Sequence, residues 1–183
     1  MIDLLELEKR LILPHVKTGG TAVDFTMGNG HDTLWLSRAV GAGGRVFAFD
    51  VQRIALDHTK ELLQREQAPD NCTLILDSHQ FVKNYVNGPI CAGLFNLGFL
   101  PGGDKSVTTK RESSLAAIEA AIDLLDDDGG LLIAVYPGHE EGRIEGEMIH
   151  DALSGLDRHQ ICVSKFNIIN SPASPFFFLV EKK

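Results

Sequence analysis

The sequence has few cysteines, no long apolar run and no surplus of basic residues, and each shortage excludes a class of protein. Three widely spaced cysteines among 183 residues predict neither a disulfide framework nor a cysteine-type zinc site. No apolar run reaches the about 20 residues that span a bilayer. The N-terminal residues lack the basic-then-apolar order of a signal peptide, so we expect a cytoplasmic protein without a membrane partner.

Acidic side chains outnumber basic ones. The 17 Lys and Arg residues against 25 Asp and Glu residues give a formal net charge of −8 at pH 7. Proteins that bind nucleic acid through its phosphates usually have a basic surplus. A nucleic-acid substrate would therefore need a local basic patch or a homodimer that pools two patches. The candidate groups are Lys105, Lys110 and Arg111, and Lys9, Arg10 and Lys17 near the N-terminus; the alternative for both groups is ordinary solvated surface. The length fits one domain spanning 1–183.

Short apolar runs alternate with longer amphipathic stretches, which is the pattern of a sheet covered by helices on both faces. We expect seven strands, at 22–25, 45–49, 73–76, 90–95, 131–136, 160–169 and 176–181. Helices are expected between them, at 32–40, 52–67, 113–125 and 140–154. The acidic segment 126–130 predicts a turn in which a glycine caps the third helix.

The connections between the strands predict their directions. The first five strands are joined by helical or long connections, which parallel neighbours need. The last two are joined only by residues 170–175, which are too few for a helix and therefore form a hairpin. The prediction is an α/β, single-domain, doubly wound, seven-stranded and mostly parallel sheet with an antiparallel last strand. This is the Rossmann-like layout of the class I methyltransferases.

The loop after the first strand contains the first candidate binding residues. The strand ends near Asp24, a turn with Gly28 and Gly30 follows, and then a helix begins. Glycine lets a ligand approach the backbone closely, although turns also use glycine for their geometry alone. Asp50 closes the second strand, where an acid can accept hydrogen bonds from both ribose hydroxyls. Asp24 can either hold the loop or reach the amino group of a ligand.

These features fit a cofactor that contains adenosine, and two cofactors compete. NAD needs a pyrophosphate site, normally G-x-G-x-x-G, whose last position is Thr33 here. S-adenosylmethionine has no phosphate, and its positive sulfonium and ammonium groups suit an acid at the first strand end. A dehydrogenase would also need a substrate domain, for which the chain has no room. We therefore predict S-adenosylmethionine, with Asp77 and Ser78 either beside the adenine or in a polar turn.

The loop after the fourth strand contains Asn96, Leu97, Gly98 and Phe99. Enzymes that methylate amines commonly place Asp or Asn here, followed by two prolines and an aromatic residue. The side-chain oxygen accepts hydrogen bonds from the substrate N–H and directs its lone pair at the methyl group. This chain has the Asn and the aromatic residue but lacks both prolines, so a plain glycine- and proline-containing loop is the alternative.

Four longer segments together resemble one small family. They are Thr-Met-Gly-Asn-Gly-His-Asp-Thr at 26–33, Phe-Asp-Val-Gln at 49–52, Asn-Leu-Gly-Phe-Leu-Pro-Gly-Gly-Asp-Lys at 96–105 and Tyr-Pro-Gly-His-Glu-Glu-Gly at 136–142. This is the family labelled rRNA methylase, also called YtqB-like or MnmM-type, and the resemblance covers essentially the full length. Relatives have His at the position of Pro137, so a role for that histidine is absent here.

The resemblance implies an S-adenosylmethionine-dependent enzyme without a metal. Characterised members convert 5-aminomethyl-2-thiouridine at the tRNA wobble position to its 5-methylaminomethyl form, so the implied partner is the anticodon region of tRNA. The residues alone leave open methylation of ribosomal RNA or of a small amine, and a non-catalytic regulator that binds the cofactor or RNA.

The resemblance also assigns roles to residues. The cofactor-binding residues are Asp24, Thr26, Met27, Gly28, Asn29, Gly30, His31, Thr33, Asp50, Gln52, Asp77, Ser78, His79, Asn96, Leu97 and Gly98. The substrate-binding residues are Leu100, Gly102, Gly103, Asp104, Lys105, Lys110 and Arg111. The catalytic candidates are Asn96, Asp104, Tyr136 and His139. The alternative for the last three is that Asp104 is a turn residue, Tyr136 a core residue and His139 the start of a helix. The alternative for His31, Gln52 and His79 is that they only begin helices, with His79 facing solvent.

Overall fold

A computed structural model describes residues 4–98, 111–138 and 140–183. Its strands are β1 (Thr21–Asp24), β2 (Arg45–Asp50), β3 (Cys72–Leu76), β4 (Ile90–Leu97), β5 (Leu125–Val135), β6 (Ile161–Phe166) and β7 (Phe176–Lys182). Its α-helices are α1 (Leu4–Ile12), α2 (His31–Val40), α3 (Arg53–Arg65), α4 (Arg111–Leu124) and α5 (Glu140–Ser154). Among the described residues, no helix is long and apolar enough to cross a membrane.

The strands form one sheet in the order β3-β2-β1-β4-β5-β7-β6. Strands β1 to β5 pair in parallel, whereas β7 is antiparallel to both β5 and β6. The predicted sheet and its antiparallel last strand are therefore confirmed. The strand order reverses between β1 and β4, and ligands of such sheets bind beyond the carboxyl ends of the strands at this reversal. Asp24, Asp50 and Asn96 all lie at that edge.

The N-terminal helix α1 was not predicted from the sequence. Its residues Leu4, Leu7 and Leu11 pack against a buried apolar cluster, and Trp35 and Tyr136 pack against the same cluster. Lys9 of α1 pairs with Asp32 at the start of α2, and the negative charge of Glu8 acts on Tyr136, which directly follows β5. Helix α1 is therefore close to the edge at which ligands bind.

The predicted glycine cap of α4 is wrong. Helix α4 ends at Leu124, and the residue in the left-handed conformation after it is Asp128, with φ of 61°. The pairing of β4 with β5 passes from Ile90–Leu125 directly to Ala92–Gly130. Residues 126–129 therefore bulge out of the ladder, and the aspartate takes the conformation expected of a glycine.

Two phenylalanines connect the loop after β1 with the carboxyl end of β4. The rings of Phe25 and Phe95 stack in the core with their centroids 4.0 Å apart and an interplanar angle of 5°. Phe25 directly precedes Thr26, and Phe95 directly precedes Asn96. The backbone N–H of Phe25 also donates to the carbonyl oxygen of Leu94. The loop after β1 and the carboxyl end of β4 therefore start from one packed unit. Asn96 and Leu97, which the sequence placed in a loop, are the last two residues of β4.

Gly93→Ala is expected to destabilise this unit. A Cβ at Gly93 would lie 2.6 Å from Cδ2 of Leu131 and 2.9 Å from Cε2 of Phe25. Overpacking of a close-packed core costs about 1 to 3 kcal/mol in the free energy of unfolding, measured by urea titration. Gly43→Ala is the matched control, since a Cβ there meets no atom within 4 Å. Equal stability of the two variants would contradict the close packing of Gly93 against Leu131 and Phe25.

Candidate active site

The glycine loop between β1 and α2 is held tightly against helix α3. Gly30 caps α2 with φ of 82°, which is a left-handed conformation that favours glycine. A Cβ on Gly30 would lie 2.7 Å from Oγ1 of Thr59, and that hydroxyl donates to the carbonyl oxygen of Gly28. The left-handed conformation and the close contact with Thr59 are therefore sufficient reasons for a glycine at position 30.

Asp24 lies beneath the loop and is fully buried. Its carboxylate accepts hydrogen bonds from the backbone N–H of Thr26 (3.1 Å) and the hydroxyl of Thr33 (2.6 Å). Burial raises the pKa of Asp24 to about 7, and the negative charges of Asp32 and Asp50 add to this rise. Of the two predicted roles for Asp24, the hydrogen bonds favour the one in which it holds the loop.

Asp24→Asn is expected to change how stability depends on pH. The carboxyl titrates near its ordinary value of 3.8 when unfolded and near 7 when folded, so its contribution to stability falls as pH rises through this range. The variant lacks this titration, so its stability relative to wild type should increase between about pH 4 and pH 7 and then level off. Urea unfolding of the cofactor-free protein measures the difference, with Asp57→Asn, an exposed carboxylate, as the control. A difference independent of pH would exclude the buried carboxyl as its source.

Asp50 at the end of β2 is fixed by two backbone donors. The N–H of Gly28 donates to one carboxylate oxygen at 3.0 Å, and the N–H of Gln52 donates to the other at 2.9 Å. The residue is half-buried, and each carboxylate oxygen can accept a further hydrogen bond. Asp50 can therefore accept from the two hydroxyls of a ribose.

The end of β3 holds a buried histidine. His79 packs edge-on against Phe95, and its Nδ1 lies 2.9 Å from the carbonyl oxygen of Phe25. Burial lowers the pKa of His79, so the ring is neutral and the carbonyl fixes the proton on Nδ1. Its Nε2 is then a buried acceptor that finds no partner among the described residues. His79 does begin a short 3-10 helix (His79–Asn84), as the alternative had it, but the solvent-facing ring of that alternative is wrong.

His79 and Asp50 together fit an adenosine. The unpaired acceptor Nε2 matches the amino group of an adenine, and Asp50 matches the ribose hydroxyls. Nearby, Asp77 accepts hydrogen bonds from the N–H of Ser78 and the hydroxyl of Tyr85, both at 2.7 Å. The donor and acceptor pattern at these strand ends therefore suits the predicted cofactor.

Asn96 at the end of β4 is held at three atoms. Its backbone N–H donates to Oγ1 of Thr26 (2.7 Å), and its side-chain Nδ2 donates to Oδ2 of Asp32 (2.8 Å). Its Oδ1 accepts from the hydroxyl of Tyr136 at 3.3 Å. The amide group therefore has one defined orientation, with its oxygen on the side of Tyr136.

Tyr136 keeps its proton. Burial raises its pKa to about 12, and the negative charges of Glu8 and Asp32 contribute. Its hydroxyl is therefore a hydrogen-bond donor at neutral pH. A side chain at Gly98 would come within 3.7 Å of the Tyr136 ring, so the glycine lies against one edge of that ring.

The other predicted residues are spread around this edge. Met27, Thr33 and Leu97 are buried. Asn29 and His31 line a surface pocket together with His58, Glu61, Leu62 and Arg65 of α3. Arg111 begins α4 and pairs with Glu112 at 3.3 Å. The roles of these residues stay predictions.

Several predicted residues lie outside the described part of the chain. They are Leu100, Gly102, Gly103, Asp104, Lys105, Lys110 and His139. The sequence did not predict a role in the site for Asp32 or Lys9. Asp32 accepts a hydrogen bond from the side chain of Asn96, and Lys9 pairs with Asp32. The only signal for Asp32 was its position in the segment 26–33, where an acid also suits the first turn of a helix.

The fold and the strand-end residues define a class I, Rossmann-like methyltransferase architecture. Residues 46–182 match the family model described as "Putative rRNA methylase". The chain belongs to this family, as the sequence predicted.

Relatives agree with this assignment. A curated relative from Arabidopsis thaliana, named tRNA (mnm(5)s(2)U34)-methyltransferase, chloroplastic, is 34% identical over 178 residues. The alignment covers 92% of this chain but only 65% of that relative. A Clostridium thermocellum protein whose crystal structure is described as that of a "putative rRNA-methylase" is 36% identical, with a TM-score of 0.96 over 100% of this chain and 99% of that one. A Streptococcus mutans protein described as "a putative methyltransferase" and solved with S-adenosylhomocysteine is 34% identical, with a TM-score of 0.89 over 100% and 99% of the two chains.

Proposed function

We propose that this chain is an S-adenosylmethionine-dependent N-methyltransferase that converts 5-aminomethyl-2-thiouridine at the tRNA wobble position to the 5-methylaminomethyl form. The observation that carries the proposal is the oriented amide of Asn96 at the carboxyl edge of the sheet. An acceptor at this point suits a substrate that presents N–H groups. The name of the Arabidopsis relative supports the choice of base and of tRNA.

The residues at the first three strand ends would hold the cofactor. Asp50 accepts hydrogen bonds from the ribose hydroxyls, and Nε2 of His79 accepts one from the adenine amino group. S-adenosylmethionine, when bound, supplies the methyl group. The sulfonium that carries this methyl group is already a good leaving group. No covalent intermediate with the protein is needed.

The residues after β4 and β5 would position the amine. Oδ1 of Asn96 accepts an N–H of the substrate and thereby directs the nitrogen lone pair, while the hydroxyl of Tyr136 holds the same oxygen. Positioning of this kind can remove about 7 to 11 kcal/mol from a barrier. The amine must also lose a proton before it reacts. Tyr136 keeps its own proton at neutral pH, so Asp104 and His139 are the proposed proton acceptors.

The acidic chain would meet tRNA through a local patch. Lys105, Lys110 and Arg111 are the proposed residues of this patch, and a homodimer would double the number of such patches. We propose both features together. A monomer in a solution mass measurement at micromolar concentration would refute the dimer.

Nucleoside mass spectrometry tests the function. Transfer RNA from cells lacking the gene should accumulate 5-aminomethyl-2-thiouridine, and the wild-type gene should restore the methylated form. A gene encoding Asn96→Ala should not restore it. An unchanged tRNA profile would refute the wobble assignment and would favour a small amine, which the net charge of −8 suits better than a nucleic acid.

A further inference from the structure

Helix α1 reaches the proposed active site through one lysine. Nζ of Lys9 lies 3.1 Å from Oδ1 of Asp32, and both side chains are largely buried, with 33% and 23% of their surface exposed. The ammonium also lies 6.0 Å from the ring centroid of Trp35. Oδ2 of the same Asp32 accepts from the side chain of Asn96. Lys9, Asp32 and Asn96 therefore form one chain of contacts from α1 to the end of β4.

The orientation of the Asn96 amide decides what the site can bind. The oxygen and the NH2 of an amide have nearly the same shape, but one accepts hydrogen bonds and the other donates them. An amine that is to be methylated needs an acceptor, because its N–H groups are donors and its lone pair must stay free. A flipped Asn96 would present NH2 and would compete for that lone pair.

Asp32 is the neighbour that distinguishes the two orientations. An ionised carboxylate only accepts hydrogen bonds, so it holds the NH2 end of Asn96 and repels the oxygen end. The hydroxyl of Tyr136 contacts the other end, but a hydroxyl can donate or accept and therefore tolerates either orientation. Lys9 in turn fixes the position of the carboxylate.

We propose that Asp32 and Lys9 are positioning residues for the methyl transfer: Lys9 holds Asp32, and Asp32 keeps the Asn96 oxygen directed at the substrate amine. The inference rests on the proposed function, because it explains why the site would prefer a substrate that presents N–H groups. Helix α1, which the sequence did not predict, is then part of the catalytic unit.

Three variants test this, with a matched pair of controls. Asp32→Leu should lower kcat by about 10- to 100-fold, because small misplacements of reacting groups cost rates of this order. Lys9→Met should lower kcat by about 3- to 10-fold, and Lys9→Arg should restore most of it. The controls are Lys17→Met and Asp126→Ala, because Lys17 and Asp126 form another 3.1 Å pair at the amino edge of the sheet. Affinity for S-adenosylhomocysteine should stay within about twofold of wild type in all of them.

The side-chain amide of Asn96 gives a readout that does not need a substrate. Its two proton signals in a ¹⁵N–¹H spectrum of the S-adenosylhomocysteine complex should move in Asp32→Leu, should move less in Lys9→Met and should not move in the controls. Unmoved signals in Asp32→Leu, or a kcat within twofold of wild type, would overturn the inference. If the wild-type enzyme does not methylate tRNA, the proposed function fails, and the amide signals still decide whether Asp32 orients Asn96.

Discussion

Asp50→Ala should weaken the binding of S-adenosylhomocysteine by at least about 100-fold. A hydrogen bond to a charged group contributes about 1.5 to 3 kcal/mol, and this carboxylate would accept one from each ribose hydroxyl. The substitution also leaves the N–H groups of Gly28 and Gln52 without their acceptor, so the loop loses the contact that fixes it. Isothermal titration calorimetry measures the affinity directly.

The control for this prediction is Asp57→Ala. Asp57 is an exposed carboxylate on α3, the helix that follows Asp50, and removing it changes the net charge equally. Its effect on cofactor affinity should be less than about twofold. Similar losses in the two variants would mean that general electrostatics, and not the placement of Asp50, attracts the ligand.

Asn96→Ala should lower kcat by about 100-fold and leave affinity for S-adenosylhomocysteine within about twofold of wild type. Removing one group that stabilises or positions the reacting atoms typically costs a factor of about 100 to 1,000 in kcat. The backbone N–H that donates to Thr26 is kept in the variant, so the carboxyl end of β4 should stay in place. Single-turnover kinetics on undermodified tRNA separate the chemical step from product release.

The exposed Asn87 before β4 supplies the control for that variant. Asn87→Ala should keep kcat within about twofold of wild type. If Asn96→Ala instead raised KM without changing kcat, the side chain would contribute uniform binding and would not act in the methyl transfer.

The fold was predictable because its signals are local. Alternating apolar runs and amphipathic stretches give the strands and four helices, and the six-residue connection 170–175 alone predicts the antiparallel β7. The family could also be predicted, because its motifs lie in short continuous segments. Asp50 and Asn96 were found in the same way, since each closes a strand at the edge where ligands bind.

The missed residues depend on contacts between distant parts of the chain. Lys9 and Asp32 are 23 positions apart, and Asn96 is 64 positions beyond Asp32, so no motif relates the three. The burial of His79 was missed for the same reason, because its partners, the carbonyl oxygen of Phe25 after β1 and the ring of Phe95 in β4, are distant in the sequence. Local patterns identify which residues end a strand but not which side chains then meet.

The stacked rings of Phe25 and Phe95 have a consequence for how the family can vary. The loop with the predicted cofactor residues follows one ring, and Asn96 at the carboxyl end of β4 follows the other. A change of size at either position would shift the loop and the strand end relative to each other, and the hydrogen bond from Asn96 to Thr26 would lengthen or break. Positions 25 and 95 should therefore covary across related sequences, with a loss of volume at one compensated by a gain at the other.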